Sequence, residues 1–360
     1  MNLKNNFAIM QGEVKPIIIH HTNELTLGGT EKLIETNMPF YLADSNFDHY
    51  LAYRSYGDLS REENFKKILP ANRMLSYNDE EHFVSMVKDI KPFIIHRYAA
   101  GIPEFPFVPE IKKYTSRFVS TSTFGDQDNT IEIDRVVYVS DWVKKNVRDR
   151  DKNHITVTIP VPSPVSDTDL REELGIPQDA FVFGRIGRDA DNIYSPLAAM
   201  AISKLQETHN NIYFLVASPS KKLEDDIKKY NVKNFRKIDR TTDAHRISSF
   251  FNSIDVMAHS RLDGECNPMS IWESFAHGKP VVSHYGFPYN GHIEIIRDCG
   301  FVALYEDVEM YYNIIKKFVN KEFDYEQLSK NCVKNWKENA TPKLASSQQL
   351  EIYKSLKVGF

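Results

Sequence analysis

At 360 residues the chain exceeds the size at which one hydrophobic core ordinarily stops growing, so two domains of common size are expected. Its 41% hydrophobic and 26% charged residues are those of a folded globular protein, without low-complexity runs. A formal net charge of -4 gives no basic footprint for a nucleic-acid backbone, and the longest apolar runs, at 16–19 and 92–95, are far too short to span a bilayer.

Residues 1–15 mix Asn, Lys, Gln and Glu around the short apolar patch Phe7-Ala8-Ile9-Met10, which is no signal-peptide core, so a cytoplasmic protein is expected. Thereafter short apolar, β-branched runs alternate with helical patterns, the signature of parallel sheets with crossover helices and hence of an α/β fold. Strands are predicted at 14–20, 50–55, 92–96, 118–122, 135–140 and 155–159. Pro160, Pro162 and Pro164 then forbid helix and favour a stiff connector, which sets a domain boundary between 161 and 162. The alternation restarts with strands at 181–186, 212–217, 255–259 and 280–284, and helices at 308–318, 325–338 and 342–356 close the chain. The expected organisation is two doubly wound, Rossmann-like domains, 1–161 and 162–340, facing across a cleft. Residues 341–360 form a final helix with room to cross back to the first domain.

In open parallel sheets ligands bind at the carboxyl ends of strands, which directs attention to the loops that follow them. After the first strand, Leu27-Gly28-Gly29-Thr30-Glu31-Lys32 opens a helix whose free amides and positive dipole end suit phosphate or carboxylate oxygens. The strand at 181–186 runs into Gly187-Arg188, and a guanidinium there can fork onto a diphosphate. Glu265 and Glu273 flank Cys266-Asn267-Pro268-Met269-Ser270, where Pro268 suits a helix start. Both carboxylates can then face one cleft, and carboxylates accept paired hydrogen bonds from vicinal sugar hydroxyls. Asp189-Ala190-Asp191 is a DxD triplet, read as a surface turn and not as a metal site. Cys266, Cys299 and Cys332 are odd in number and lack CxxC spacing, so reduced, buried thiols are expected.

The order of these motifs resembles that of the retaining GT-B glycosyltransferases of family 4. The resemblance rests on Gly28-Gly29, Gly187-Arg188, Glu265 with Glu273, Gly278-Lys279-Pro280-Val281-Val282, Tyr138-Val139-Ser140-Asp141-Trp142-Val143-Lys144 and Gly291-His292-Ile293-Glu294. It implies a nucleotide-sugar donor as co-substrate, no metal or other cofactor, and an acceptor hydroxyl on a glycan, a lipid-linked molecule or another compound. Peripheral membrane attachment is compatible with it. It further implies that Gly28 and Gly29 face the donor phosphates, that Arg188 binds the diphosphate and that Glu265 lies against the transferred sugar. Glu273 holds the ribose, and Asn267, Met269 and Ser270 line the sugar and phosphate site. A histidine after the third predicted strand serves the family in catalysis, and here either His96 or Tyr98 stands in that place. The chain departs from the pattern where a lysine usually follows the arginine: Asn192 and Ile193 are there instead, with Arg185 the nearest substitute cation. Pro268 has no amide to offer a ligand, and the loop Ala217-Ser218-Pro219 lacks the family's glycines. Retaining glycosyl transfer is the expected function. Its rivals are a GT-B epimerase or phosphorylase and a non-catalytic nucleotide-sugar binding protein.

Overall fold

The computed structural model describes residues 15–99, 108–125, 130–146 and 154–357. The apolar patch at 7–10 lies outside them, as does the expected strand start at 14. Two parallel sheets form, one from each half of the chain. The first contains β1 (Ile17–His21), β2 (Asp48–Arg54), β3 (Met74–Tyr77), β4 (Ile94–Ala99), β5 (Arg117–Ser122), β6 (Arg135–Tyr138) and β7 (His154–Thr156), in the order β3-β2-β1-β4-β5-β6-β7. The second contains β8 (Phe181–Ile186), β9 (Ile212–Ala217), β10 (Phe235–Ile238), β11 (Val256–Ala258), β13 (Val281–His284) and β15 (Gly300–Ala303), in the order β10-β9-β8-β11-β13-β15. Two-residue strands β12 (Gly264–Glu265) and β14 (Tyr289–Asn290) pair separately. Both main sheets reverse direction beside their first strand, between β1 and β4 and between β8 and β11, and such a switch point opens a ligand crevice at the carboxyl ends.

Helices cover both faces of each sheet. The first half supplies α1 (Gly29–Ala43), α2 (Glu62–Lys66), α3 (Glu80–Ile90) and α4 (Asp141–Asn146). The second supplies α5 (Leu197–Gln206), α6 (Lys221–Lys229), α7 (Ala244–Ser253), α8 (Met269–Ala276), α9 (Gly291–Ile296), α10 (Val308–Val319), α11 (Tyr325–Asn339) and α12 (Pro342–Lys357). Because side chains alternate along a strand, Val182 joins the core under α8 and α11 while its neighbour Phe183 joins the one under α5 and α10. The first sheet divides in the same way, with Ile18 and Ile94 on one face and Ile19 and Ile95 on the other.

Three strands of the main sheets went unforeseen, besides the two-residue β12 and β14. In β3, β10 and β15 only Tyr77, Ile238 and Ala303 respectively are fully buried. Such strands lack the continuous apolar run that marks a doubly covered position. The final helix leaves the second domain: α12 packs on α1, and its Ala345, Leu350, Ile352, Tyr353 and Leu356 complete the core that contains Ile18 and Leu51. Burying a Leu or Ile side chain contributes roughly 1.5–3 kcal/mol, so α12 is a structural member of the first domain. The two crossings between domains run side by side. Val161 donates its N–H to the Ala340 carbonyl at 2.7 Å, and Trp336 Nε1 donates to the Val161 carbonyl at 2.9 Å.

Candidate active site

Gly28 is the N-cap of α1, and its absent side chain has a physical cause. A Cβ there would lie 2.6 Å from Glu31 Oε2 and 2.9 Å from Thr26 Oγ1. Those atoms belong to a network in which Thr22 and Thr26 donate to the Glu31 carboxylate at 3.3 and 3.1 Å. Burial raises the Glu31 carboxyl above its usual range, and these hydrogen bonds oppose the rise. At Gly29 nothing stands within 4 Å of the missing Cβ, so the helix start meets open space. One turn on, Lys32 reaches out of the first domain to form an ion pair with Glu273 Oε1 of the second.

Glu273 is the fifth residue of α8, which begins after the N-cap Pro268. Glu265 lies in the preceding loop on β12, held against β14 by close backbone approach. Gly264 has φ of +68° and a Cβ there would sit 1.8 Å from the Tyr289 carbonyl oxygen; one on Gly291 would sit 2.0 Å from that of Cys266. Only glycine permits those approaches. The Glu265 carboxylate is bonded to Arg261 Nη1 at 2.6 Å, while Arg261 also grips Asp263 at 2.9 and 2.6 Å. Burial raises the Glu265 pKa, and the charges of Arg261 and Arg188 act against that rise. Beneath the loop, fully buried His292 presents Nε2 to the His284 carbonyl at 2.9 Å and Nδ1 to the Glu265 amide at 3.3 Å. Nδ1 lies 3.3 Å from the Glu265 carbonyl as well; with Nε2 donating the shorter bond to the His284 carbonyl, a neutral ring uses Nδ1 to accept from the Glu265 amide. Burial lowers the His292 pKa, which keeps that arrangement neutral.

The two arginines of the second domain's first strand part company. The strand ends at Ile186, and Arg188 is exposed in the loop, with no ion pair to the described residues. Arg185 is 4% exposed, its guanidinium 5.4 Å from the centre of the Tyr194 ring. Burial lowers its pKa to about 10, and Nη1 has no partner among the described residues. Arg185 is therefore buried behind the site, close enough to Glu265 and Arg261 for their charges to act on it. Asp189 is exposed, while Asp191 accepts from the Lys222 amide at 2.8 Å at the start of α6. In the loop after β9, Ser218 takes the φ of 52° that glycine adopts without strain.

Other expected ligand contacts are already engaged. Asn267 Nδ2 donates to the Val139 carbonyl of the first domain, and its Oδ1 accepts from Trp272 Nε1 at 2.6 Å. The Asn267 side chain is thus a bridge between domains, not a free sugar ligand. Met269 packs against cores of both domains, and Ser270 stands half-buried in the first turn of α8.

His96 and Tyr98 need correction, because neither faces the cleft. His96 is fully buried, with Nδ1 2.5 Å from Tyr353 Oη and Nε2 2.8 Å from Thr121 Oγ1. Tyr98 Oη lies 3.0 Å from His20 Nδ1, and His20 Nε2 is 2.9 Å from His49 Nδ1. Tyr353 of α12 closes this interior cluster, which one stretch of local sequence cannot foretell. Lys32, Arg261 and His292 were missed as site residues. For Arg261 a signal existed: two acidic residues follow it at Asp263 and Glu265. Lys32 and His292 stood inside quoted motifs with no local feature to mark their reach.

Residues 166–339 match the family model described as glycosyl transferases group 1. No curated protein matches the chain by sequence. Among solved structures, a glycosyltransferase from Rickettsia africae ESF-5 is similar at a TM-score of 0.77 and 16% identity, over 96% of this chain and 100% of that one. HepE from Anabaena, solved with UDP and glucose, is similar at 0.76 and 13%, over 94% of this chain and 100% of that one. Sucrose-phosphate synthase from Thermosynechococcus elongatus is similar at 0.71 and 13%, over 96% and 100%. The fold is thus GT-B, two Rossmann-like domains with parallel sheets. Family model and fold together support glycosyl transfer as the general activity.

Proposed function

We propose that the protein moves a sugar from a nucleotide-sugar donor onto an acceptor hydroxyl, with retention of anomeric configuration and without a divalent metal. The observation that carries this reading is the convergence, between two switch points, of the open Gly29 helix start, exposed Arg188 and the carboxylates of Glu265 and Glu273. In the reaction the bond from the anomeric carbon to the diphosphate breaks, and the acceptor oxygen bonds to that carbon on the same face. The departing phosphate oxygen takes the acceptor's proton. Arg188 and the amide of Gly29 stabilise charge as it builds on the leaving group, the Gly28 amide being taken by Thr26 Oγ1 at 3.0 Å. Glu265, held by Arg261 and His292, lies against the sugar, where a negative charge favours an oxocarbenium-like state. Glu273 accepts from the ribose hydroxyls.

HepE was also solved with UDP-glucose, which makes UDP-sugars the first donors to try. Thermal shift against UDP-, GDP- and ADP-sugars should raise the melting point for one series, since a ligand of the folded state alone stabilises it. Nucleoside diphosphate should then be released only when acceptor is present, and equally in EDTA. Donor binding without release for every acceptor class tried would favour the binding-protein reading. Activity lost in EDTA and restored by magnesium would assign the diphosphate's charge to a metal.

A further inference from the structure

Resting on the nucleotide-sugar reading, we propose that Lys32 is the second cation for the donor diphosphate, parked on Glu273 while the site is empty. A diphosphate brings at least two negative charges into the cleft, and the cations near Glu265 do not match them. Arg188 is exposed and unpaired among the described residues. Arg185 is interior, stacked on Tyr194. Arg261 is committed to Asp263 and Glu265. After Arg188 the chain offers an uncharged, exposed Asn192 and a buried Ile193.

Lys32 is placed to make up the difference. Its N–H bonds the Gly28 carbonyl at 3.2 Å, so it stands in the first turn of the helix whose start at Gly29 is open. Its ammonium already crosses to the second domain, on the carboxylate assigned to the ribose. When ribose hydroxyls occupy Glu273, that carboxylate has fewer lone pairs for the ammonium, while a stronger anion arrives beside it. A lysine's flexible four-carbon stem lets the charge move from one to the other without moving the helix. The exchange becomes more favourable as charge grows on the leaving group, so Lys32 serves turnover as well as capture.

The test is calorimetry on Lys32→Met and Lys32→Arg with UDP, GDP and ADP, and separately with uridine, guanosine and adenosine. Losing a charge-assisted contact should weaken binding of the preferred diphosphate about tenfold or more in Lys32→Met. The matching nucleoside should bind that variant at least as well as wild type, because Glu273 has been released to the ribose. This unequal response shows at once that the variant is folded. Lys32→Arg should recover most of the diphosphate affinity. Unchanged diphosphate binding in Lys32→Met, or an equal fall for diphosphate and nucleoside, would reduce the pair to a structural clasp and overturn the assignment. Wild-type protein that binds none of the six probes would remove the nucleotide-sugar reading itself, and this assignment with it.

Discussion

The two domains hold polar clusters with opposite fates. In the first domain His20, His49, His96, Tyr98 and Tyr353 hydrogen-bond among themselves in the interior, closed over by α12, with His49 Nε2 left without a partner among the described residues. Near the ends of β8 and β11, Arg188 and Glu265 stay at the cleft, above a floor of buried Arg185, His259 and His292. Residue type does not separate the two, since histidines occur in both. What separates them is the covering helix. A tyrosine from α12 turns one cluster into packing, while the glycine-lined loop of β12 leaves the other open to a ligand.

Acid should break the buried clusters first, with the largest effect. Burial lowers the pKa of His21 to about 3 and of His49 and His284 to about 4, and holds His20, His96 and His259 well below the ordinary value. Their folded pKa lies beneath the unfolded one, so their stabilising contribution is whole above the unfolded value near 6.5 and is lost as pH falls toward the folded pKa. Each such histidine removes about 1.4 kcal/mol per pH unit in that window. Denaturant midpoints measured between pH 7 and pH 4.5 should therefore fall steeply, and a flat profile would mean the histidines are not buried neutral.

Arg188 sharpens the comparison from the open side. Arg188→Ala should lower kcat about 100-fold or more, with Arg188→Lys restoring part, because a bidentate fork on the leaving diphosphate strengthens in the transition state. Arg185→Ala should instead lower the melting temperature, since it empties a buried site against Tyr194. Steady-state kinetics beside a melting curve would expose an exchange of these roles.

The smallest expected effect belongs to the closed cluster. His96→Phe removes the partner of Thr121 Oγ1 and leaves Tyr353 Oη with its longer 3.5 Å contact to Tyr98, and should cost about 1–3 kcal/mol of stability. Its kcat near pH 7.5 should stay within about twofold of wild type, given that surviving enzyme keeps its cleft. A collapse of kcat with unchanged stability would return His96 to the reacting centre.

The fold was legible where burial is heavy on both faces. The ranges 181–186 and 212–217 coincide with β8 and β9, whose residues are nearly all buried, whereas β3, β10 and β15 carry too little apolar signal to mark them. In the site, backbone-driven features showed in sequence: the Gly28-Gly29 turn, the Pro268 helix start and the spacing of Glu265 and Glu273. Features set by distant partners did not. Asn267 is taken by Val139, His96 by Tyr353 and Lys32 by Glu273, each across more than one hundred residues of chain.

The return of α12 to the first domain also fixes an order of completion during synthesis. The second domain is continuous, and its last helix, α11, precedes α12, so it can be finished as it leaves the ribosome. The first domain, though translated earlier, lacks Tyr353 and the apolar face of α12 until that helix emerges. Until then α1 exposes the surface on which α12 docks, and His96 Nδ1 lacks its Tyr353 partner. Domains generally fold as units in the order they are made; here the earlier one waits for a helix made after the later one, and a truncation before residue 342 would leave its core unfinished while the second domain keeps every one of its strands.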